Sequence, residues 1–466
     1  MTSSRKASHN RAPHQPDAPV HKDNALLALG ALLVVAMAFG GGGVRYGLAN
    51  LIVQLTALGL VAIYRDAFLR FWRTAPRLLT ILVGFSVAIP ALHLVPLPAD
   101  VWTALPGRGL AAEARAAVDA RGWAPASLDR ARTLVALTGL IVPLTVLCIG
   151  WTIKRERVFM LGWLIVAMGL VNVFVGVGQA LSSDALTSFY PETPMAGVLF
   201  GTFANRNSTG VFLVCALTLA CLLPPIKAHP LELPARLAVC ALLLLAIVLT
   251  KSRTSLALAG LPLLLAAAGF AFDRIASSSS KQGSGATRAL QLGGGALVVV
   301  LAVVSLFAAA PGRLGDTLER FERDGSAREY IWEDSLYASQ RYWPAGAGMG
   351  TFDEVFQVDE ALENITARRA GRAHNDYLEV AIEAGLPGLL AIAVWLLALA
   401  WLTWRARFSP HRWIAWSGSA ILLAIALQSI TDYPLRNQTM LAVGAFALLL
   451  LARFSSVPER RKRSAP

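Results

Sequence analysis

Charge is the scarcest property of this chain: Asp, Glu, Lys and Arg make up only 15% of its 466 residues. A soluble chain of that length needs a more polar surface, so a freely soluble protein is excluded. Cysteine is nearly absent too. Cys148, Cys215, Cys221 and Cys240 all lie within or at the end of apolar runs, which excludes a disulfide framework and a zinc site. No solenoid-type repeat is present. The first 24 residues are too far from an apolar stretch with a small-residue cleavage site to read as a cleaved signal peptide, and are expected to form a disordered cytoplasmic tail. The run SSSSKQGSG at 277–285 reads as a flexible loop.

Apolar residues are what the chain has in excess, at 55% with a mean hydropathy of +0.55. Twelve runs come near the ~20 residues a helix needs to cross a bilayer. They lie at roughly 25–40, 46–64, 78–97, 133–151, 158–181, 207–226, 233–250, 254–272, 289–310, 385–404, 412–430 and 436–454. Unbroken Leu/Ala/Val runs predict helices rather than the short alternating segments of a β-barrel. The expected fold is an all-α integral membrane protein of about twelve transmembrane helices, with a helical outer segment between the ninth and tenth.

The net charge of +13 is an orientation signal rather than a nucleic-acid footprint. Lys and Arg concentrate in every second connection: 65–77, 154–157, 227–236, 274–288, 405–412 and the terminal RRKR. The positive-inside tendency therefore places both termini in the cytoplasm. It divides the chain into a tail (1–24), an N-terminal bundle (25–198), a second membrane region (199–454) with an outer loop at 311–384, and a basic tail (455–466).

Three outer segments carry unusual polar groups. GTFANRN at 201–207 places Arg206 between apolar stretches, where a guanidinium needs a cavity, a headgroup or an acid such as Asp184 or Glu192. KSRTS at 251–255 sets Lys251 and Arg253 at a bare junction on the face where cations are normally depleted. The third is 311–384, which carries His374, and TDYPLR at 431–436 adds Arg436 on the same side. The acid pairs Glu333/Asp334, Asp353/Glu354 and Asp359/Glu360 read as a solvated amphipathic surface rather than a metal site, since no His or Cys supports them.

His374 stands among groups that hydrogen-bond or titrate: Arg372, Asn375, Asp376, Tyr377 and Glu379. Asn375 or Asp376 can cap a helix with Glu379 at capping-box spacing, and Gly385-Leu386-Pro387 is expected to stop it. The imidazole then sits just ahead of a helix N-terminus, where the dipole disfavours the charged ring. A His that merely packs or caps at the interface is the competing reading. The glycines Gly346, Gly348 and Gly350 either let backbone approach a ligand or form a tight turn.

GTFANRN, SRTS, REYIWEDSL, PAGAGMGTF and AHNDYLE with EAGLPG occur in one order on one membrane face. In that order they resemble the bacterial O-antigen ligase and polymerase superfamily. TDYPLRN looks like the motif of many exopolysaccharide-associated members. The resemblance spans about 199–437. It implies a metal-independent glycosyltransferase of the all-helical membrane type, without cofactor, in the bacterial inner membrane with its active site on the periplasmic face. Its donor would be a glycan on undecaprenyl diphosphate.

The family's outer-face arginines map to Arg206 and Arg253, and its essential histidine to His374. Two fixed guanidinium forks suit a leaving diphosphate, and a neutral imidazole can take the acceptor hydroxyl's proton. Lys251, Asn375, Asp376, Arg436, Gly348 and Gly350 are expected in support. One displacement without a covalent intermediate would invert the anomeric centre.

Lipid A core, a second lipid-linked repeat or a protein hydroxyl remain open as acceptors. The outer loop at 98–132, with five arginines from Arg108 to Arg132, either contacts an anionic acceptor or lies on the membrane as an amphipathic helix. A non-catalytic flippase is the rival class, for which inverted repeats and broken midplane helices are the marks.

Overall fold

Leu/Ala/Val-rich sequence satisfies its backbone hydrogen bonds within each helix, and helices account for almost all the regular structure of this chain. The computed structural model describes residues 24–181, 189–190, 197–277, 328–365 and 369–455. Eleven of the twelve apolar runs are helical there, and the run at 289–310 lies outside the described residues. Six helices are long and apolar enough to cross a membrane, or seven if Gly47–Ile63 and the Arg65–Thr74 helix, bent by 79° from it, count as one. Arg77–His93, Arg206–Leu222 and Gln438–Phe454 are apolar but shorter. The expected count of twelve spans thus exceeds what length and composition support among the described residues.

Two of those shorter helices form the centre. Nearly every residue of Arg206–Leu222 and Gln438–Phe454 is buried, as expected for helices apolar all round. Gln438–Phe454 packs on Arg412–Gln428 and on Ile141–Thr152, while Arg206–Leu222 packs on Glu232–Leu249, Met160–Leu181 and Arg412–Gln428.

Two connections are more structured than the sequence suggests. The stretch 65–77, expected as an inner loop, is largely the amphipathic Arg65–Thr74 helix, with Ala67 and Phe71 buried. The stretch 98–132, expected as an outer loop, is folded onto the protein. Pro96–Leu97 and Ala124–Pro125 pair antiparallel, and the short helices Ala99–Thr103 and Gly109–Ala117 lie between them. Arg108 is only 1% exposed. Its guanidinium donates to the carbonyls of Pro106, Ala126 and Gly346 at 3.3, 2.6 and 3.1 Å.

The segment after residue 327 has a small core of its own, built from Ala338, Tyr342, Ala347, Phe352, Phe356 and Ile382 among others. A helix over 328–341 and the helix Phe352–Asp359 frame it. The acid pairs are not uniformly solvated: Asp334 and Asp359 are each 8% exposed. Asp359 accepts from Arg341 at 2.7 Å, and Asp334 accepts from Ala361 N–H and Asn364.

Candidate functional site

Four helices begin at the end of the bundle that carries the sequence motifs, and each is capped by a motif residue. Asn205 caps Arg206–Leu222, Ser252 caps Arg253–Leu258, Asn375 caps Asp376–Ala406 and Asn437 caps Gln438–Phe454, each side-chain oxygen accepting a first-turn N–H. Helix starts carry partial positive charge, so such a gathering favours an anion. Side chains tie the four segments together. Asn205 donates to Asp432, Thr254 and Thr431 share a hydrogen bond of 3.0 Å, and Ser255 Oγ reaches the Asn207 carbonyl at 3.5 Å.

His374 occupies the left-handed region, with φ of 50°, immediately before the Asn375 cap. That strained backbone turns the imidazole toward the TDYPLR segment. Nδ1 lies 3.3 Å from Oδ1 of Asp432, and the ring packs on Tyr433 with centroids 5.1 Å apart. The His374 side chain is 32% exposed, whereas that of Asp432 is 1% exposed. Burial pushes the Asp432 carboxyl up. The hydrogen bonds from His374 and Asn207, together with the charges of His374 and Arg328, more than offset this and hold it below the usual carboxylate range. Burial and the adjacent Asp432 carboxylate push the Tyr433 phenol up, so it stays neutral.

Arg436 was expected to be an outer cation in support. Instead it is the hub of a carboxylate cluster, its side chain 13% exposed. Its guanidinium pairs with Asp376 at 3.2 Å, Glu379 at 3.0 Å and Glu383 at 2.9 Å, all on one face of Asp376–Ala406. Arg372 adds a second cation to Glu379 at 3.0 Å. Glu379 also accepts from Ala373 N–H at 3.1 Å, which fixes the backbone next to His374. It is the fourth residue of the helix and reaches back past the cap, so the motif is an extended form of the predicted box. Asp376, bonded to Arg436 and to Ser429 Oγ at 2.9 Å, is likewise committed within the protein.

The glycine run forms a turn pressed against protein. Gly346, Gly348 and Gly350 all have positive φ, of 84°, 121° and 85°. A Cβ on Gly348 would collide with Ser127, and one on Gly346 with the Glu383 carbonyl. Gly348 N–H donates to that carbonyl at 2.8 Å, and Leu128 N–H donates to Ala347 O at 2.8 Å. The turn therefore clamps the 98–132 stretch onto the helix that follows His374. Gly385, at φ of 56°, breaks that helix where the Pro344 carbonyl crowds it, but the helix resumes at once instead of stopping.

Lys251 also has positive φ, of 53°, and is exposed. Arg206 and Arg253 are the first residues of their helices and are partly exposed. Their neighbours Asn205, Asn207, Thr254 and Ser255 make the contacts just described around Asp432 and Thr431, so the structure brings both arginine-bearing segments to the His374 end. Asp184 and Glu192, the acids considered as partners for Arg206, lie outside the described residues. Among the described residues no group of three or more His, Cys, Asp or Glu side chains is placed to hold a metal.

Residues 238–393, which include SRTS, the glycine turn and His374, match the family model described as O-Antigen ligase. That match supports the resemblance to the O-antigen ligase and polymerase superfamily over this part of the chain. No curated protein matches it. The match supports membrane glycosyltransferase activity of the ligase or polymerase type, in a multi-pass membrane setting with a lipid-linked glycan. Sequence reasoning missed Asp432, Asn205 and Glu383. Asp432 lay in a quoted motif, but its partner is 58 positions away and no local spacing links the two.

Proposed function

We propose that the protein transfers a glycan from an undecaprenyl-diphosphate carrier to an acceptor hydroxyl at the outer face of the bacterial inner membrane. The observation that carries this reading is the pairing of His374 with Asp432. A buried, ionised carboxylate beside Nδ1 favours the tautomer with the proton on Nδ1, which leaves Nε2 free to accept one. The arrangement orients a general base as a carboxylate–histidine pair does in other acyl- and group-transfer sites.

In the step envisaged, the acceptor oxygen bonds to the anomeric carbon while its proton passes to Nε2 of His374. The bond from that carbon to the diphosphate oxygen breaks, and its electron pair leaves with the lipid diphosphate. A single displacement of this kind inverts the anomeric centre. Arg206 and Arg253 meet the charge developing on the leaving group, with the planar fork that suits phosphate oxygens. Permanent cations of this type take the part that a divalent metal plays elsewhere. Arg436 and Asp376 position rather than bind, since their charges are already satisfied inside the protein. Gly348 and Gly350 act through the turn.

The wider frame is that of an all-helical, type C-like membrane glycosyltransferase, with twelve spans and both termini cytoplasmic. The distribution of Lys and Arg supports that orientation. Ligase, polymerase and protein-glycosylating relatives share this donor chemistry, and the acceptor distinguishes them. The test is an assay with purified protein, a lipid-linked oligosaccharide and a panel of acceptors. Donor binding without turnover on any acceptor would point instead to a flippase.

A further inference from the structure

A cavity of about 500 Å³ lies between the Arg77–His93, Ile141–Thr152, Asp376–Ala406, Arg412–Gln428 and Gln438–Phe454 helices. Its walls are mostly aliphatic, with Val83, Leu144, Ile392 and Leu448 among them. None of His374, Asp432, Arg206 and Arg253 lines it. Arg372 and Asp376, two positions to either side of His374, do. The cavity therefore borders the candidate site, sharing Asp376, Arg436 and Gly350 with it but none of the proposed base and clamp residues.

The polar groups on its wall define what it can hold. Its charged residues are Arg132, Arg372, Asp376 and Arg436, and every one is already in an ion pair. Arg132 pairs with Glu354 at 2.6 Å, Arg372 with Glu379, and Arg436 with Asp376 and its two neighbouring acids. The remaining polar lining includes the amides Asn50, Gln54 and Gln438. Asn50 is 8% exposed and Gln438 7% exposed, and each has a buried amide oxygen with no hydrogen-bond partner. An orphan acceptor costs about 1–3 kcal/mol. It is relieved by an O–H donor and repels phosphate oxygens, which can only accept.

We propose that this cavity binds a lipid with an aliphatic chain and an uncharged, hydroxyl-bearing headgroup, whose hydroxyls donate to the amide oxygens of Asn50 and Gln438. The site is separate from the diphosphate clamp and does not depend on the glycosyl-transfer reading. Aliphatic walls take the chain, and the absence of an uncommitted cation among the described residues of the wall disfavours an anionic head.

The experiment uses full-length protein in phosphatidylcholine nanodiscs with a photoreactive dodecyl maltoside, competed by plain dodecyl maltoside or by dodecyl phosphate. Label should concentrate on peptides containing residues 130–147 and 376–399. The neutral glycoside should displace it and dodecyl phosphate should not. Gln438→Met should weaken labelling roughly 2- to 10-fold, the equivalent of one neutral hydrogen bond, and Ala136→Trp, which fills the cavity, should abolish it. Label spread evenly over lipid-facing helices, or displaced equally by dodecyl phosphate, overturns the proposal. Should either variant fail to fold, the competition on the wild-type protein decides alone. His374→Gln should leave labelling unchanged, which separates failure here from failure of the catalytic reading.

Discussion

The Asp432 carboxylate that lies 3.3 Å from Nδ1 of His374 also takes two hydrogen bonds from Asn205, at 3.2 and 3.0 Å. One buried acid thus joins the GTFANRN, AHNDYLE and TDYPLRN segments. Asp432→Asn keeps the shape but removes the charge that selects the tautomer and steadies a protonated ring. Transfer should fall by about 10²-fold or more, with donor affinity little changed.

The pH dependence follows from the same pair. Because Asp432 is held below its unfolded value, its contribution to stability is present above the ordinary carboxylate range and is lost only as pH falls through the lowered value. Any loss of wild-type activity between neutral pH and mild acid should therefore leave the Asp432 contribution to the fold intact. Melting measured in detergent across that window should not fall while the rate drops. A melting temperature that falls in parallel with the rate would assign the loss to unfolding instead.

For the arginines, a charge-preserving change is the sharper probe. Arg253→Lys retains the cation and loses the planar fork, so turnover should drop steeply while membrane insertion stays normal. Arg206→Ala should act in the same direction, and the double variant should lose less than the product of the two single effects if both grip one leaving group. Full activity of the lysine variant would reduce Arg253 to an interfacial cation.

Arg436 should behave as a stability residue. Arg436→Met leaves Asp376, Glu379 and Glu383 in a buried site with Arg372 as the one cation paired to them among the described residues, at a cost of about 3–5 kcal/mol. A marked fall in melting temperature and in yield of monodisperse protein is expected. Unchanged melting with lost activity would instead place Arg436 on the substrate.

Orientation can be read with a membrane-impermeant thiol reagent and single cysteines in a background lacking the native four. Leu362, 83% exposed on the outer segment, should label in intact cells, and Ser279 in the basic connection should not. The opposite pattern would move the site to the cytoplasm.

Much of this was legible in the sequence because it was local. Apolar runs gave eleven helices of the described region, and the Asn375 cap with Glu379 nearby was readable from spacing within one turn. What was hidden depends on partners far apart in the chain. Arg436 looked like an outer cation because its three acids lie more than fifty positions earlier, and the loop at 98–132 read as an acceptor contact or a membrane-lying helix because the carbonyl partner of its Arg108, Gly346, is 238 positions away. The glycine turn was half readable: its positive φ could be anticipated, but not that Ser127 and Glu383 fill the space beside it.

The central claim is that His374 is a proton acceptor and more than a packed cap. The direct measurement is the rate of glycan transfer by purified His374→Gln on a lipid-linked oligosaccharide donor, with donor binding measured on the same preparation. The account predicts normal insertion, donor binding close to wild type through Arg206 and Arg253, and transfer slower by about 10²–10⁴-fold. Transfer near the wild-type rate with donor binding unchanged would contradict it and leave His374 as an interface residue.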